Sequence, residues 1–94
     1  MTADSEWSVY IVRCADDTFY TGAARDLGAR IAEHNAGRGA KYTRGRLPVT
    51  LVYREPAADR AAAQRREYAI KRLSAAEKRR LAAGARSRSP GVRP

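Results

Sequence analysis

Near the start of the chain Trp7, Val9 and Ile11 fall on one parity and Ser8, Tyr10 and Val12 on the other. A period of two over this length predicts a strand with one face on a core. Ala15-Asp16-Asp17-Thr18 reads as a turn. Phe19-Tyr20-Thr21, aromatic and β-branched and stopped by Gly22, predicts a short second strand that completes a hairpin. If Tyr10 lies opposite Tyr20, the midpoint falls close to that turn, and the two phenols become cross-strand neighbours about 5 Å apart at Cβ.

Further along, the period changes. Asp26 is placed to cap a helix carrying Leu27, Ile31 and small alanines, and Gly37 supplies its stop. The run from Gly37 to Leu47 is polar, glycine-punctuated and basic, which predicts a loop or an irregular helical turn with no reason to be buried. Pro48 opens a third strand, Val49 to Tyr53, with Val49, Leu51 and Tyr53 on one face; Pro56 ends it. Residues 57–72 predict an alanine-rich helix with an apolar stripe of Ala62, Ala69, Ile70 and Leu73. Ser74 followed by Glu77 is a capping-box signature for another helix reaching about Ala83. Gly84 to Pro94, with Arg86, Arg88 and Arg93 and no apolar periodicity, is expected to be a disordered basic tail.

Composition narrows the function. The 94 residues suffice for one domain, placed at residues 1–83, and no repeats are visible. The polar, acidic start is no secretory leader, and no apolar stretch is long enough to span a bilayer, so a cytoplasmic protein without membrane contact is expected. The single cysteine, Cys14, and single histidine rule out an internal disulfide and a four-ligand zinc site. A formal charge of +9 and a pI near 10.6 make nucleic acid the first partner to consider. Only Lys41, Lys71 and Lys78 are lysines. Arginine's planar fork suits phosphate, although a GC-rich genome gives the same bias.

Several short motifs then fall into an ordered series. Ser8-Val9-Tyr10 precedes Tyr20-Thr21-Gly22, followed by Asp26-Leu27, Arg30 and Glu33-His34-Asn35. Gly39-Ala40-Lys41-Tyr42-Thr43, Leu51-Val52-Tyr53 and Glu67 with Ile70-Lys71 continue it. In order and spacing this series resembles the GIY-YIG nuclease superfamily, in particular its small single-domain bacterial members, over roughly residues 6 to 81. The resemblance implies an α/β chain of the α+β type, a three-stranded antiparallel sheet flanked by helices. It also implies a hydrolytic site with one Mg²⁺ or Mn²⁺ ion, in which Tyr10, Tyr20, Arg30 and Glu67 act, Glu67 being the metal ligand. His34 matches a histidine that joins the site in some members. Ser8 and Val9 depart from the usual glycine and isoleucine.

The chemistry of these residue types agrees with those roles. Phosphodiester hydrolysis needs an oriented, deprotonated water, neutralised non-bridging oxygens and a stabilised leaving oxygen. Arg30 offers a permanent cation in a fork, and Glu67 a hard carboxylate oxygen of the kind Mg²⁺ accepts while keeping most of its waters. A phenol with an ordinary pKa of about 10 is a poor base unless cations depress it. Tyr10 is assigned to water activation and Tyr20 to orientation. Each residue also has a plainer role: a helix ion pair for Arg30 with Asp26 and for Glu67 with Lys71, a cross-strand aromatic pair for the tyrosines, a helix-end interaction for His34. Arg38, Lys41, Tyr42, Arg44, Arg46 and Lys71 are expected to contact nucleic acid, with Tyr42 able to stack on a base. Metal-dependent cleavage of nucleic acid is therefore expected, DNA ahead of RNA, in repair or processing of structured DNA. A protein partner for targeting is possible, and a non-catalytic nucleic-acid-binding accessory protein with the same fold is the alternative.

Overall fold

The computed structural model describes residues 7–87, with side chains to residue 84. The polar start and most of the expected basic tail lie outside the described residues. Strands β1 (Trp7–Arg13), β2 (Phe19–Ala24) and β3 (Thr50–Ala57) form one antiparallel sheet in the order β2-β1-β3. Helix α1 (Leu27–Asn35) and the short α2 (Lys41–Arg44) lie between β2 and β3 in sequence; α3 (Arg60–Lys71) and α4 (Ala75–Ser87) follow. The α+β architecture is thus the expected one.

Its central strand corrects the expectation of a single buried face. Every residue from Ser8 to Val12 is buried. The parity of Tyr10 and Val12 packs with Cys14, Ala24, Leu27 and Val49, flanked by Tyr20, Ile31 and Leu47. The parity of Val9 and Ile11 packs with Ala63 and Ile70 of α3, flanked by Trp7, Phe19, Val52, Tyr53, Leu73 and Leu81. Helices cover both faces, so apolar residues at both parities are what the middle strand requires.

Local signals set most boundaries. The Asp26 carboxylate accepts from Ala29 N–H at 3.1 Å, capping α1, and Gly37 terminates it at φ +81°, where a side chain would be strained. The capping box forms as expected: Glu77 N–H donates to Ser74 Oγ at 3.1 Å, and Ser74 N–H to Glu77 Oε1 at 2.9 Å. Helix α4 nevertheless continues past Ala83, through Gly84 to Ser87. Four residues assigned to the tail are therefore helical.

Three further expectations are overturned. Pro56 does not end β3; it pairs with Ser8 inside the strand. An edge strand tolerates proline because the missing N–H faces away from the ladder. Second, the register jumps from Ile11↔Tyr53 to Val12↔Leu51, leaving Val52 as the extra residue of a bulge. Val49, Leu51 and Tyr53 consequently do not share a face: Val49 joins the Tyr10 cluster, Tyr53 the opposite one, and Leu51 is exposed. Third, the stripe on α3 is turned, with Ala63 and Ile70 buried while Ala69 is exposed.

Candidate active site

The hairpin register decides how the two phenols meet. Tyr10 pairs with Gly22, and Tyr20 with Val12. The tyrosines are thus diagonal rather than opposite neighbours, on the same face, with ring centroids 6.5 Å apart. Gly22 has a steric reason for being glycine: a Cβ there would stand 2.5 Å from Tyr10 Oη and 2.6 Å from Cζ. The missing side chain is the space the phenol occupies. At Ser8, where the resembling family has glycine, the hydroxyl accepts from the Arg54 guanidinium at 3.2 Å and the strand is intact.

Helix α1 delivers the next two groups. Its His34 is fully buried, and both ring nitrogens are engaged: Nε2 lies 2.9 Å from Tyr10 Oη and Nδ1 3.0 Å from Thr43 Oγ1. Burial and the nearby Arg30 cation hold its pKa below the ordinary histidine value, so the ring is neutral near pH 7. A helix-end dipole contact, the plain expectation for a lone histidine, is therefore not its main interaction. Gly39 is the counterpart of Gly22, since a Cβ there would stand 2.3 Å from His34 Nδ1 and 2.8 Å from its Cα. Arg30, one turn earlier, pairs with Glu33 at 3.0 Å rather than with Asp26, and its guanidinium also reaches the Tyr10 hydroxyl. Tyr10 is fully buried; desolvation outweighs the Arg30 hydrogen bond and pushes its pKa up to about 12.

Glu67 arrives from α3. Ala63, Glu67 and Ile70 lie along one side of that helix, and the carboxylate is close enough to Tyr10 to oppose ionisation of the phenol. Its side chain is 22% exposed and accepts from Lys71 Nζ at 2.9 Å. Lys71 in turn stands 5.8 Å from the centre of the Tyr20 ring. Tyr10, Tyr20, Arg30, His34 and Glu67 are thus brought into one neighbourhood. Among the described residues, no group of three or more histidine, cysteine, aspartate or glutamate side chains could hold a metal ion. A divalent ion at this place would have Glu67 as its protein ligand, with water and substrate oxygens completing the shell, an arrangement Mg²⁺ commonly accepts.

The basic segment behaves differently from its expectation. Thr43 is fully buried, and Gly39 is buried too. Tyr42 stacks on Tyr20 with centroids 6.0 Å apart, and the Arg46 guanidinium lies 4.0 Å from its ring centre. Tyr42 nevertheless remains 39% exposed. Arg46 also donates to Asp16 Oδ2 at 3.0 Å and to the Tyr42 carbonyl at 2.7 Å, and Arg44 to the Gly39 carbonyl at 3.3 Å. Arg38 and Lys41 are exposed and, among the described residues, form no ion pair.

Sequence reasoning missed Thr43 as the partner of His34, and it missed the steric roles of Gly22 and Gly39. The signal for Thr43 was present in Gly39-Ala40-Lys41-Tyr42-Thr43, but it reads as surface because its companions are polar. Asn35 was likewise passed over. It accepts from Val49 N–H at 2.7 Å and donates to Val49 O at 3.1 Å, tying the end of α1 to the approach of β3.

Fold and cluster together define a class: a small α+β domain in which two tyrosines of a central hairpin meet an arginine, a histidine and a glutamate from the flanking helices. The model of the GIY-YIG catalytic domain matches residues 6–80, and the chain belongs to the GIY-YIG nuclease family. A UPF0213 protein of Desulfotalea psychrophila is 58% identical over 76 residues, covering 80% of this chain and 69% of the relative. One from Halobacterium salinarum is 56% identical over 73 residues, 78% of this chain and 95% of the relative. The solution structure of a UPF0213 protein from Bacillus halodurans is similar, with TM-score 0.53 and 42% identity over 83% of each chain. Among the described residues no helix is long and apolar enough to cross a membrane.

Proposed function

We propose that the protein is a nuclease hydrolysing phosphodiester bonds of nucleic acid, DNA ahead of RNA, with one Mg²⁺ or Mn²⁺ ion held at Glu67. The observation that carries this reading is that Arg30 and Glu67, from different helices, both lie close to Tyr10, whose ring centre stands 6.5 Å from that of Tyr20. Arg30 clamps the non-bridging oxygens of the phosphate through its fork. Tyr20, half-buried rather than fully enclosed, contacts the attacking water. Tyr10, expected from the sequence to activate water, is instead a positioning residue, because it is completely buried and burial raises its pKa. With His34 and Thr43 it forms an internal brace that fixes Arg30 and the hairpin. The divalent ion, when bound, supplies Lewis-acid neutralisation of the developing charge. Processing of structured DNA in the cytoplasm, and delivery to the target by a protein partner, belong to the same reading.

The test incubates the full chain with Mg²⁺ or Mn²⁺ and duplex, single-stranded, flapped and branched substrates. Metal-dependent cleavage is expected, falling at least a hundredfold in Glu67→Ala and Arg30→Ala, about the loss of one preorganised charge contact. Cleavage undiminished in those variants overturns the assignment. Salt-sensitive binding that needs no metal and never ends in cleavage supports the accessory-protein alternative. The Glu67–Lys71 ion pair favours that alternative to the extent that it satisfies the carboxylate without metal.

A further inference from the structure

Helix α3 carries more than Glu67. At 3.6 residues per turn, Lys71 lies about 40° round the helix from Glu67, Tyr68 about 100°, Arg72 about 140° and Arg65 about 160°. The core side, Ala63 and Ile70, lies in the other direction. An exposed stripe therefore leads away from Glu67 and ends in two arginines with an aromatic ring before them. Tyr68 is 64% exposed, the most exposed large hydrophobic side chain among the described residues. The Arg72 guanidinium lies 5.5 Å from its ring centre. Arg66, on another side of the helix, is neutralised by Glu55 at 2.7 Å. Arg65 and Arg72 form no such pair among the described residues.

We infer that this face of α3 is a binding track for an unpaired nucleic-acid strand next to the cleaved phosphate, with Tyr68 stacking on a base and Arg65 and Arg72 holding phosphates. The inference rests on the nuclease reading for its direction, because the stripe begins at Glu67. Charge complementarity selects the occupant: two unneutralised guanidinium groups favour a polyanion, and an exposed aromatic ring adds affinity for the face of an unstacked base. A duplex hides those faces, so the track favours single-stranded or flapped ends. Arg65 to Arg72 spans about 10 Å of helix, so the two guanidinium groups can hold different phosphates of one strand. Tyr68, at 64% exposed, is more available for this purpose than Tyr42, which is 39% exposed and packed against Tyr20 and Arg46.

The experiment measures fluorescence anisotropy of the full chain in EDTA, so that nothing is cleaved, against a labelled 15-nucleotide DNA, the matching RNA and a blunt duplex. Tyr68→Ala is expected to weaken binding to both single strands between about fivefold and a hundredfold, the range spanned by base–aromatic stacking. Duplex affinity changes less than twofold, and Tyr68→Phe, which keeps the ring, stays within twofold throughout. Arg65→Ala with Arg72→Ala lowers the slope of log affinity against log salt by about 1.4 for two single-strand phosphates. Single-strand affinity unchanged in Tyr68→Ala, or lost equally for duplex, overturns the track. Metal-dependent cleavage by the unaltered protein, assayed in parallel, separates the two readings. Cleavage with normal binding by Tyr68→Ala refutes the track alone, whereas selective weakening without any cleavage refutes the hydrolytic reading alone. No binding to any of the three probes refutes the track, and with no cleavage in the parallel assay it refutes both.

Discussion

Replacing Gly22 by alanine is a direct test of the packing that holds Tyr10 in place. A Cβ at this position meets Tyr10 Oη at 2.5 Å, Cζ at 2.6 Å and Cε2 at 3.0 Å, all well inside van der Waals contact. Tyr10 has nowhere to retreat: it is fully buried and its hydroxyl is held by His34 Nε2 at 2.9 Å. Either the ring leaves its position and breaks that hydrogen bond, or β2 moves away from β1. Overpacking of this kind costs about 1–3 kcal/mol, and loss of a buried hydrogen bond adds about 1 kcal/mol. A total of about 3 kcal/mol corresponds to a fall in Tm of roughly 12–24 °C for a domain of this size. Gly28→Ala is the control. Its nearest neighbour would be Asp26 Oδ1 at an ordinary 3.8 Å, and inside α1 alanine gains up to about 1 kcal/mol over glycine. Thermal and denaturant unfolding of the two variants should therefore shift in opposite directions. If Gly22→Ala melts within 2 °C of the parent, Tyr10 is not enclosed as described, and the brace it forms with His34 fails with it.

Two further outcomes follow from the site's electrostatics. His34 is held below its unfolded pKa of about 6.5, so below that pH the unfolded chain takes up a proton that the native chain refuses. Stability should accordingly fall as pH drops from 6.5 towards the folded value, by up to about 1.4 kcal/mol per pH unit, and denaturant midpoints for the parent and His34→Gln should show the slope only in the parent. A parent profile flat from pH 7 to 5 would mean that the ring is free to protonate in place. Lys71 competes with any cation for Glu67 through a partly exposed pair at 2.9 Å. Lys71→Met should therefore tighten Mn²⁺ binding about two- to fivefold by calorimetry or paramagnetic resonance, the worth of an exposed ion pair; unchanged or weaker binding refutes the competition.

The elements were largely legible in the sequence, because the cues that define them are local. Asp26, Gly37, Ser74 and Glu77 act within one helical turn of themselves, and each does what its residue type predicts. The errors arose where the outcome depends on a neighbour in space. Pro56 stays in β3 because β3 is an edge, and a single strand does not disclose its place in the sheet. Leu51 and Tyr53 separate because a bulge at Val52 breaks the alternation that parity assumes. The tyrosine register slipped by two residues, which keeps both phenols on one face while moving Tyr20 from beside Tyr10 to beside Val12.

The candidate site divides along the same line. Tyr10, Tyr20, Arg30, His34 and Glu67 could be named because each carries a group with recognisable chemistry, and an ordered motif linked them. What could not be read was the division of labour among them, since that depends on enclosure. Tyr10 and Tyr20 are the same residue type on the same hairpin face, yet Tyr10 is fully buried against Gly22, His34 and Arg30 whereas Tyr20 is only half-buried beside Tyr42 and Lys71. The two glycines that create the enclosure bring no functional group of their own. Gly22 and Gly39 act by the volume they leave for Tyr10 and His34, and a sequence records such a volume only as a missing side chain. Placing substrate chemistry on the half-buried phenol and structural work on the fully buried one therefore follows from packing rather than from residue identity, which is why Gly22→Ala should disturb the site although glycine touches no substrate.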